Sequence, residues 1–242
     1  MSEISAEPVV HLVDEPSQPR GSVFIRVHLR LITSGCVLAS EIRIICAICG
    51  WTVTLNRPEK ANALTESMLR ELCEIMERAG EAQAVILTGR GKVFSAGADL
   101  DAARAGLAVS DLWERLSGAI AALPGLTIAA LNGTLAGGAT GMALACDIRI
   151  AVPEAKFFYP VMKLGFLPQP SDPARMAALI GPARTKLILM GGQKIMAQEA
   201  LAIGLIDRLV PQDDLMQSAL GLCTDTIAAP TDTARQIKAM CR

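Results

Sequence analysis

The sequence predicts an α/β core followed by a helical C-terminal region. Between Trp51 and Val152, short β-branched segments alternate with segments whose apolar residues recur at helical spacing. From about Asp172 onward the apolar pattern is mainly helical. The length of 242 residues suits one large domain, or one domain with a small appendage.

The charge balance and the apolar pattern exclude several classes of protein. Lys and Arg total 23 while Asp and Glu total 24, so the chain has no basic excess to neutralise nucleic-acid phosphates. No apolar run reaches the ~18–20 residues of a membrane span, and the acidic start does not resemble a signal peptide. The seven cysteines lack regular spacing, which favours a reducing compartment over a disulfide framework. We therefore expect a cytoplasmic protein with neither a nucleic-acid partner nor a membrane span.

The first fifty residues differ from the rest of the chain and contain three candidate strands. The patterns predict strands at Val9–Val13, at Ser22–Arg30 and at Glu41–Ile48. Cys46 and Cys49 form a C-x-x-C within the third strand. This pair has no second pair and no nearby histidine, so buried thiols are a better interpretation than a zinc site.

The remaining elements follow from apolar spacing and from residues that begin or end helices. Thr65 is a suitable N-cap for the first helix, with Glu66 favourable in its first turn. Gly204 is a suitable residue to end the helix Ala197–Ile203. The predicted strands are Trp51–Leu55, Ala84–Thr88, Thr127–Leu131 and 148–152, and the predicted helices are 68–79, 112–123, Ala136–Cys146, Met176–Ile180, Ala183–Met190, Ala197–Ile203 and Leu215–Ala228.

Two glycine turns form the candidate site. Phe94–Asp99 and Asn132–Gly138 each combine a strand end, a glycine turn and a helix start. Each can present a backbone N–H free of side-chain obstruction, and two such groups can bind a developing oxyanion; the alternative is two ordinary tight turns. The glycine cluster in 133–141 lacks the spacing of a dinucleotide-binding loop, and the segment 89–92 lacks the spacing of a P-loop. His11 and His28 are the only histidines, so a histidine-based nucleophilic site is not expected.

Several separated motifs, in matching order and spacing, resemble the crotonase (enoyl-CoA hydratase/isomerase) superfamily. The resemblance runs from Trp51 to about Arg235, roughly three-quarters of the chain. The motifs are Leu55-Asn56-Arg57-Pro58 with Asn62-Ala63-Leu64, then Phe94-Ser95-Ala96-Gly97-Ala98-Asp99, Asn132-Gly133 leading to Gly137-Gly138, Cys146-Asp147-Ile148-Arg149, and Ala197-Gln198-Glu199-Ala200-Leu201 leading to Gly204-Leu205-Ile206-Asp207.

The resemblance implies a crotonase-type spiral of ββα units with a C-terminal helical region that builds trimers or pairs of trimers. Members of this family bind acyl-CoA thioesters and stabilise the enolate formed at the thioester carbonyl. On this basis the oxyanion-hole donors are the N–H groups of Ala98 and Gly138. Ala61 and Ala96 lie on segments that hold the adenine end of coenzyme A. The implied substrate-binding residues are Ala61, Ala96, Gly97, Asp99, Gly137, Gly141, Tyr159, Val161 and Gln169.

The chain departs from the family's hydratases at both catalytic carboxylates. The resemblance places the first glutamate at Gly141 and the second at Val161, and neither residue present can transfer a proton. A third position, where some family isomerases and a dehalogenase carry aspartate, corresponds to Gln169. The nearest carboxylate is Asp172. It is either a catalytic substitute or, as we favour, a cap of the following helix with Pro173 at the first helical position.

We therefore expect an acyl-CoA-binding member of the enoyl-CoA hydratase/isomerase family of fatty-acid metabolism that lacks the usual hydratase glutamates. Two alternatives stay open: a non-catalytic acyl-CoA carrier or sensor, and thioester hydrolysis or double-bond isomerisation that uses Asp172 or Tyr159. We expect no metal and no cofactor besides the coenzyme A of the thioester, and a homotrimer or hexamer. The expected parts are an atypical segment 1–50 with an insertion from 17 to about 50, a core 51–190, and a shortened helical region 191–242.

Overall fold

The computed structural model describes residues 41–47 and 50–241, and its strands form two sheets. Strands are numbered along the chain. The larger sheet contains, in spatial order, β1 (Ile42–Ala47), β2 (Gly50–Leu55), β3 (Ala84–Gly89), β5 (Leu126–Leu131), β7 (Ile148–Ala151) and β10 (Arg208–Leu209). The pair β1–β2 is antiparallel and the other neighbours are parallel.

The smaller sheet contains the two strands from which the glycine turns begin, and it places these strands side by side. Its strands, in spatial order, are β4 (Val93–Ser95), β6 (Thr134–Ala136), β8 (Lys156–Phe158) and β9 (Ile195–Met196). Because β4 and β6 are parallel neighbours, the segments that follow them leave the sheet at the same edge. The candidate site therefore lies at that edge.

The helices surround these sheets. They are α1 (Glu66–Arg78), α2 (Leu100–Arg104), α3 (Leu112–Ala122), α4 (Thr140–Ala145), α5 (Val161–Leu164), α6 (Asp172–Leu189), α7 (Ala197–Ala202), α8 (Leu215–Ala228) and α9 (Thr231–Met240). None of those in the described part of the chain is long and apolar enough to cross a bilayer.

The core has the composition expected of parallel strands covered on both faces. Residues Ala84 to Thr88 of β3 are all buried, as are residues 127–131 of β5, and such strands form continuous apolar runs rather than alternating patterns. The prediction for α1 is confirmed: the Thr65 side chain accepts the Met68 N–H, and one apolar face of the helix is buried. The strand predicted at Glu41–Ile48 is confirmed as β1, whereas those at 9–13 and 22–30 lie outside the described residues.

The helix predicted from Ala136 to Cys146 is wrong at its start. Ala136 ends β6, Gly137–Ala139 forms one 3-10 turn, and α4 begins only at Thr140. The reason is Gly137, whose φ of +57° belongs to the left-handed region and interrupts the chain between strand and helix. The two helices predicted at 176–180 and 183–190 are confirmed: both lie within α6, and the backbone at Gly181, with a φ of +80° and a ψ of 159°, is not helical and separates them.

The sequence patterns did not predict α9, because this helix has no buried residue and hence no apolar stripe. Polar contacts hold it instead. The Lys238 ammonium donates to the Gly125 carbonyl at 2.6 Å and pairs with Asp147 at 2.7 Å. The Arg235 guanidinium donates to the Gly80 carbonyl at 3.1 Å.

Candidate active site

The first glycine turn is held against the segment around Ala61. The Ala96 N–H donates to the Ala61 carbonyl at 3.0 Å, and the Leu64 N–H donates to the Gly97 carbonyl at 2.7 Å. Leu64 and Ala98 form an isolated parallel bridge, so the Ala98 N–H points away from Leu64. No acceptor for it exists among residues 41–47 and 50–241. This N–H is therefore free to bind an external oxygen.

The second turn presents another backbone donor at a helix start, for which the described residues offer no acceptor. Gly138 lies in the 3-10 turn that leads into α4, where the first backbone N–H groups have no acceptor in the preceding turn. The partial positive charge of a helix N-terminus favours an anion or a polarised oxygen there.

The two turns touch through their glycines. Gly97 has a φ of +89°, and a Cβ on it would lie 2.9 Å from the Ala136 carbonyl oxygen and 3.4 Å from the Gly137 Cα. Because only glycine permits both this φ and this approach, the contact brings the Ala98 and Gly138 segments side by side. The structure thus brings together the residues predicted for the oxyanion-binding turns.

Two buried asparagines fix the loop that precedes the first turn. The Asn62 amide donates to the Val93 carbonyl at 2.7 Å and to the Arg90 carbonyl at 3.0 Å. The Asn132 amide donates to the Val93 and Gly91 carbonyls. Both side chains are buried, and their hydrogen bonds satisfy loop carbonyls that would otherwise be unpaired. The Asn62 and Asn132 side chains therefore support the loop that leads into β4, the strand before the first glycine turn.

Asp99 anchors the far end of the first turn. Its carboxylate caps α2 by accepting the N–H groups of Asp101 and Ala102, and it accepts the Arg57 guanidinium at 2.8 Å. The Arg57 hydrogen bond, with the two backbone N–H groups, lowers the pKa of Asp99. Arg57 also donates to the Ala63 carbonyl at 3.0 Å, so one side chain ties the predicted adenine-binding segment to the turn that carries Ala98.

Trp113 covers Gly138, a contact that the sequence patterns did not predict. A Cβ on Gly138 would lie 3.0 Å from Cδ2 of the Trp113 ring, and the indole N–H donates to the Leu107 carbonyl at 2.7 Å. The ring is buried. No local signal marks this tryptophan, because it lies in the ordinary apolar pattern of α3.

Asp172 lies against Gly141. A Cβ on Gly141 would lie 2.8 Å from Oδ1 and 3.1 Å from Oδ2 of Asp172, so the carboxylate fills the space where a residue-141 side chain would begin. Asp172 is 0% exposed. Its Oδ2 accepts the Tyr159 hydroxyl at 3.0 Å, while Oδ1 has no partner among the residues that the structure describes.

Burial dominates the acid–base properties of this pair. It raises the pKa of Asp172 from 3.8 to about 6, with Glu114 acting in the same direction and with Tyr159 and Arg175 opposing it. Burial and the adjacent Asp172 also raise the pKa of Tyr159, so the phenol stays protonated and donates. The Gln169 backbone N–H donates to the Tyr159 hydroxyl at 3.4 Å, which is how Gln169 enters the cluster.

The capping role predicted for Asp172 is wrong. The helix α6 begins at Asp172 itself, its N-cap is Ser171, and no side chain makes a cap hydrogen bond there. Ser171 instead donates its hydroxyl and its backbone N–H to the Glu114 carboxylate. Arg175, one turn into α6, donates to the Ser117 hydroxyl at 2.8 Å. The start of α6 is thereby joined to α3, and the Asp172 carboxylate is free to face Gly141.

Val161 begins α5 and is buried in the apolar core, and its backbone N–H donates to the Tyr159 carbonyl at 2.9 Å. It brings no ionisable group to the cluster. Ala61 has a φ of +51°, and its carbonyl accepts the N–H of the exposed Ala96. The described residues include no group of three or more His, Cys, Asp or Glu side chains able to hold a metal ion.

Comparison with known proteins identifies relatives of the whole core. A model of the enoyl-CoA hydratase/isomerase family matches residues 48–242. The short-chain-enoyl-CoA hydratase of Clostridium acetobutylicum is 37% identical over 180 residues, which cover 69% of this chain and 67% of that protein.

Solved structures agree with these sequence matches. An enoyl-CoA hydratase of Bacillus anthracis superposes with a TM-score of 0.76 at 33% identity, over 83% of this chain and 81% of that one. DspI of Pseudomonas aeruginosa superposes with a TM-score of 0.76 at 29% identity, over 85% and 88% of the two chains.

Replacement of Gly97 by alanine tests the contact between the turns. Gly97→Ala combines a left-handed φ with a clash against the Ala136 carbonyl, and we expect it to lower the free energy of unfolding by about 2–4 kcal/mol. The matched control is Gly106→Ala, where φ is +104° but no atom lies within 4 Å of the new Cβ, and where we expect about 1 kcal/mol. Urea denaturation measures both; equal losses would mean that the approach of the turns is not tight.

The difference in free energy of unfolding between Asp172→Asn and wild type is expected to depend on pH. The folded protein binds the Asp172 proton more tightly than the unfolded chain, so wild-type stability falls as pH rises from about 4 to about 6. The asparagine variant lacks this loss. Its stability relative to wild type should therefore rise by about 2 kcal/mol between pH 4 and pH 7.5.

Urea denaturation at the two pH values measures this difference. The control is Asp101→Asn, which removes one negative charge from an exposed side chain. If Asp172→Asn gains no more than this control, the Asp172 carboxyl is not buried as described.

Proposed function

Because the chain belongs to the enoyl-CoA hydratase/isomerase family, we propose that it binds an acyl-CoA thioester and holds the thioester oxygen between the N–H groups of Ala98 and Gly138. The observation that carries this proposal is the Gly97 contact, which brings side by side two segments whose Ala98 and Gly138 N–H groups have no acceptor in the described part of the chain. Fixed donors aimed at a carbonyl oxygen stabilise the negative charge that develops there when an enolate forms.

The remaining substrate contacts follow from the same arrangement. The segment of Ala61 and the exposed Ala96 would receive the adenine end of coenzyme A, and Asp99 with Arg57 would keep that segment in register with the donors. Gly137, next to Gly138, leaves the approach to the second donor free of a side chain. Coenzyme A enters as part of the substrate.

Hydration of a 2-enoyl thioester is not the function that this site supports. Addition of water needs a group that activates the water and a group that delivers a proton to the acyl chain. In our proposal Gly141 and Val161 stand where the family's hydratases carry their two glutamates. The carboxyl group beside Gly141 belongs to Asp172, a single group buried from water. Isomerisation, which needs no water, suits a single carboxylate better than hydration does.

We further propose that copies of this chain associate as a homotrimer or hexamer in the cytoplasm and act in fatty-acid metabolism. Several large apolar side chains around α5 and α6 are exposed, including Leu164, Leu167 and Met190, and a second copy would cover them. Cys73, Cys146, Cys223 and Cys241 are free thiols, which fits a reducing compartment.

The first test removes the Gly138 donor. Calorimetry with butyryl-CoA should show binding by wild type, and Gly138→Pro, which has no backbone N–H, should bind at least about tenfold more weakly. Gly138→Ala is the matched control, because it also places a Cβ against Trp113 but keeps the N–H. Equal affinities for the two variants would remove Gly138 from the site, and no binding by wild type would refute the acyl-CoA proposal.

The second test concerns hydration. We expect crotonyl-CoA to be hydrated at a rate ~10²–10⁴ lower than by the Clostridium acetobutylicum hydratase assayed beside it, because a positioned acid–base group contributes about that factor. The ultraviolet absorbance of the enoyl thioester measures the rate. Comparable rates for the two proteins would show that this chain activates water by another route.

A further inference from the structure

Resting on the proposed acyl-CoA site, we propose that Asp172 is its proton-transferring carboxylate and that the chain catalyses migration of the double bond of a 3-enoyl thioester to the 2-position. In this arrangement Asp172 supplies, from the start of α6, the carboxylate that position 141 on α4 does not carry. Gly141 leaves open the space that this carboxylate fills.

The carboxylate lies on the face of the chain that carries the second donor. Gly138 and Gly141 are three residues apart across the 3-10 turn and the first turn of α4. Residues at this spacing lie on one face, with their Cβ positions about 5–6 Å apart. Asp172 Oδ1 lies 2.8 Å from the Cβ position of Gly141, and in our proposal an acyl group whose oxygen is bound at Gly138 reaches this carboxylate.

One carboxylate oxygen is held and the other is unused. Oδ2 accepts the Tyr159 hydroxyl at 3.0 Å, whereas Oδ1 is buried without a partner in the described part of the chain. A buried, unpaired carboxylate oxygen carries a desolvation cost that a structural role would not explain, since structural polar groups are almost always paired. Oδ1 faces Gly141, where no side chain intervenes.

The Asp172 carboxyl group is shielded from water, and Trp113 packs on the same stretch of chain. Its ring covers Gly138 on the Cβ side, which is the same face of the chain that meets Asp172. Asp172 is 0% exposed. A base shielded from water can return its proton to the substrate rather than lose it to solvent, which isomerisation needs and hydration does not.

The reaction balances without a further reactant. The Asp172 carboxylate takes a proton from the α-carbon of the 3-enoyl thioester, and the C–H electron pair forms a dienolate whose oxygen is held by the Ala98 and Gly138 N–H groups. The carboxylic acid then gives the same proton to the γ-carbon. The electrons shift back toward the thioester, the carbonyl re-forms, and the double bond lies between the α- and β-carbons.

Three neighbours control the charge of Asp172. Glu114 raises its pKa, while the Tyr159 hydrogen bond and the Arg175 charge lower it, and burial brings it to about 6. Because a base must be ionised to accept a proton, the rate should rise with pH through about 6 and level off above it.

The experiment measures conversion of 3-hexenoyl-CoA to its conjugated 2-enoyl isomer, followed by ultraviolet absorbance, across pH 5–8. Wild type should turn over, and Asp172→Asn, which keeps an oxygen for the Tyr159 hydrogen bond, should lose ~10²–10⁴ of the rate. Calorimetry with butyryl-CoA should give the variant an affinity within about threefold of wild type, which separates loss of proton transfer from loss of the site.

Two further variants separate proton transfer from a structural role. Tyr159→Phe removes a hydrogen bond that lowers the pKa of Asp172, so the midpoint of its pH profile should move upward. Glu114→Gln removes a charge that raises the pKa, so its midpoint should move downward while the plateau persists. Opposite shifts support Asp172 as the titrating base.

Each contrary outcome overturns the proposal. Isomerisation by Asp172→Asn at the wild-type rate would exclude this carboxylate. Loss of the plateau in Glu114→Gln would point to Glu114 instead. Butyryl-CoA binding without any isomerisation by wild type would leave the acyl-CoA site in place and remove the proton-transfer role, in favour of a carrier or sensor. Absence of binding would refute the proposed function as well.

Discussion

At Gly97 the chain passes so close to the end of β6 that no side chain fits between the two backbones. A Cβ there would lie 2.9 Å from the Ala136 carbonyl oxygen, and the φ of +89° is one that residues with a side chain rarely adopt. The position of the first glycine turn relative to the second depends on this approach. The two backbone donors keep their spacing because the contact is made by backbone atoms, whose positions do not change with side-chain rotamers.

Buried polar side chains, rather than apolar packing, support the loops around these donors. Asn62 and Asn132 both donate to the Val93 carbonyl, and Arg57 links the Ala63 carbonyl to the Asp99 carboxylate. Loops expose backbone groups that need partners when buried, and one amide side chain can satisfy several of them. The asparagine motifs are thus explained by loop geometry, whereas the acid–base residues that we propose for this chain differ from those of the family's hydratases.

The relation between Gly141 and Asp172 connects that difference to a function. The absence of a side chain at Gly141 makes room for the Asp172 carboxylate, and the carboxylate in turn would obstruct a side chain at that position. Substitutions at two such sites are not independent, since each determines the space available to the other. The proposed exchange moves the carboxylate from α4 to α6, where it is buried from water. That location favours transfer of a proton within the substrate over addition of water.

The sequence by itself determined the order of strands β2, β3, β5 and β7 and of the main helices, the α1 cap at Thr65, the two glycine turns and the family, because these depend on local spacing and on short motifs. It did not predict the smaller sheet, whose strands have only two or three residues. It did not determine that α4 starts only at Thr140, since the left-handed φ of Gly137 depends on its contact with the first turn. It also assigned Asp172 the wrong role. An aspartate before a proline is a normal helix start by local rules, and only the approach of α6 to α3 and α4 places its carboxylate against Gly141 and Tyr159. Contacts between residues distant in sequence, such as Trp113 with Gly138, leave no periodic signal, so the environment of the site was decided by the tertiary structure.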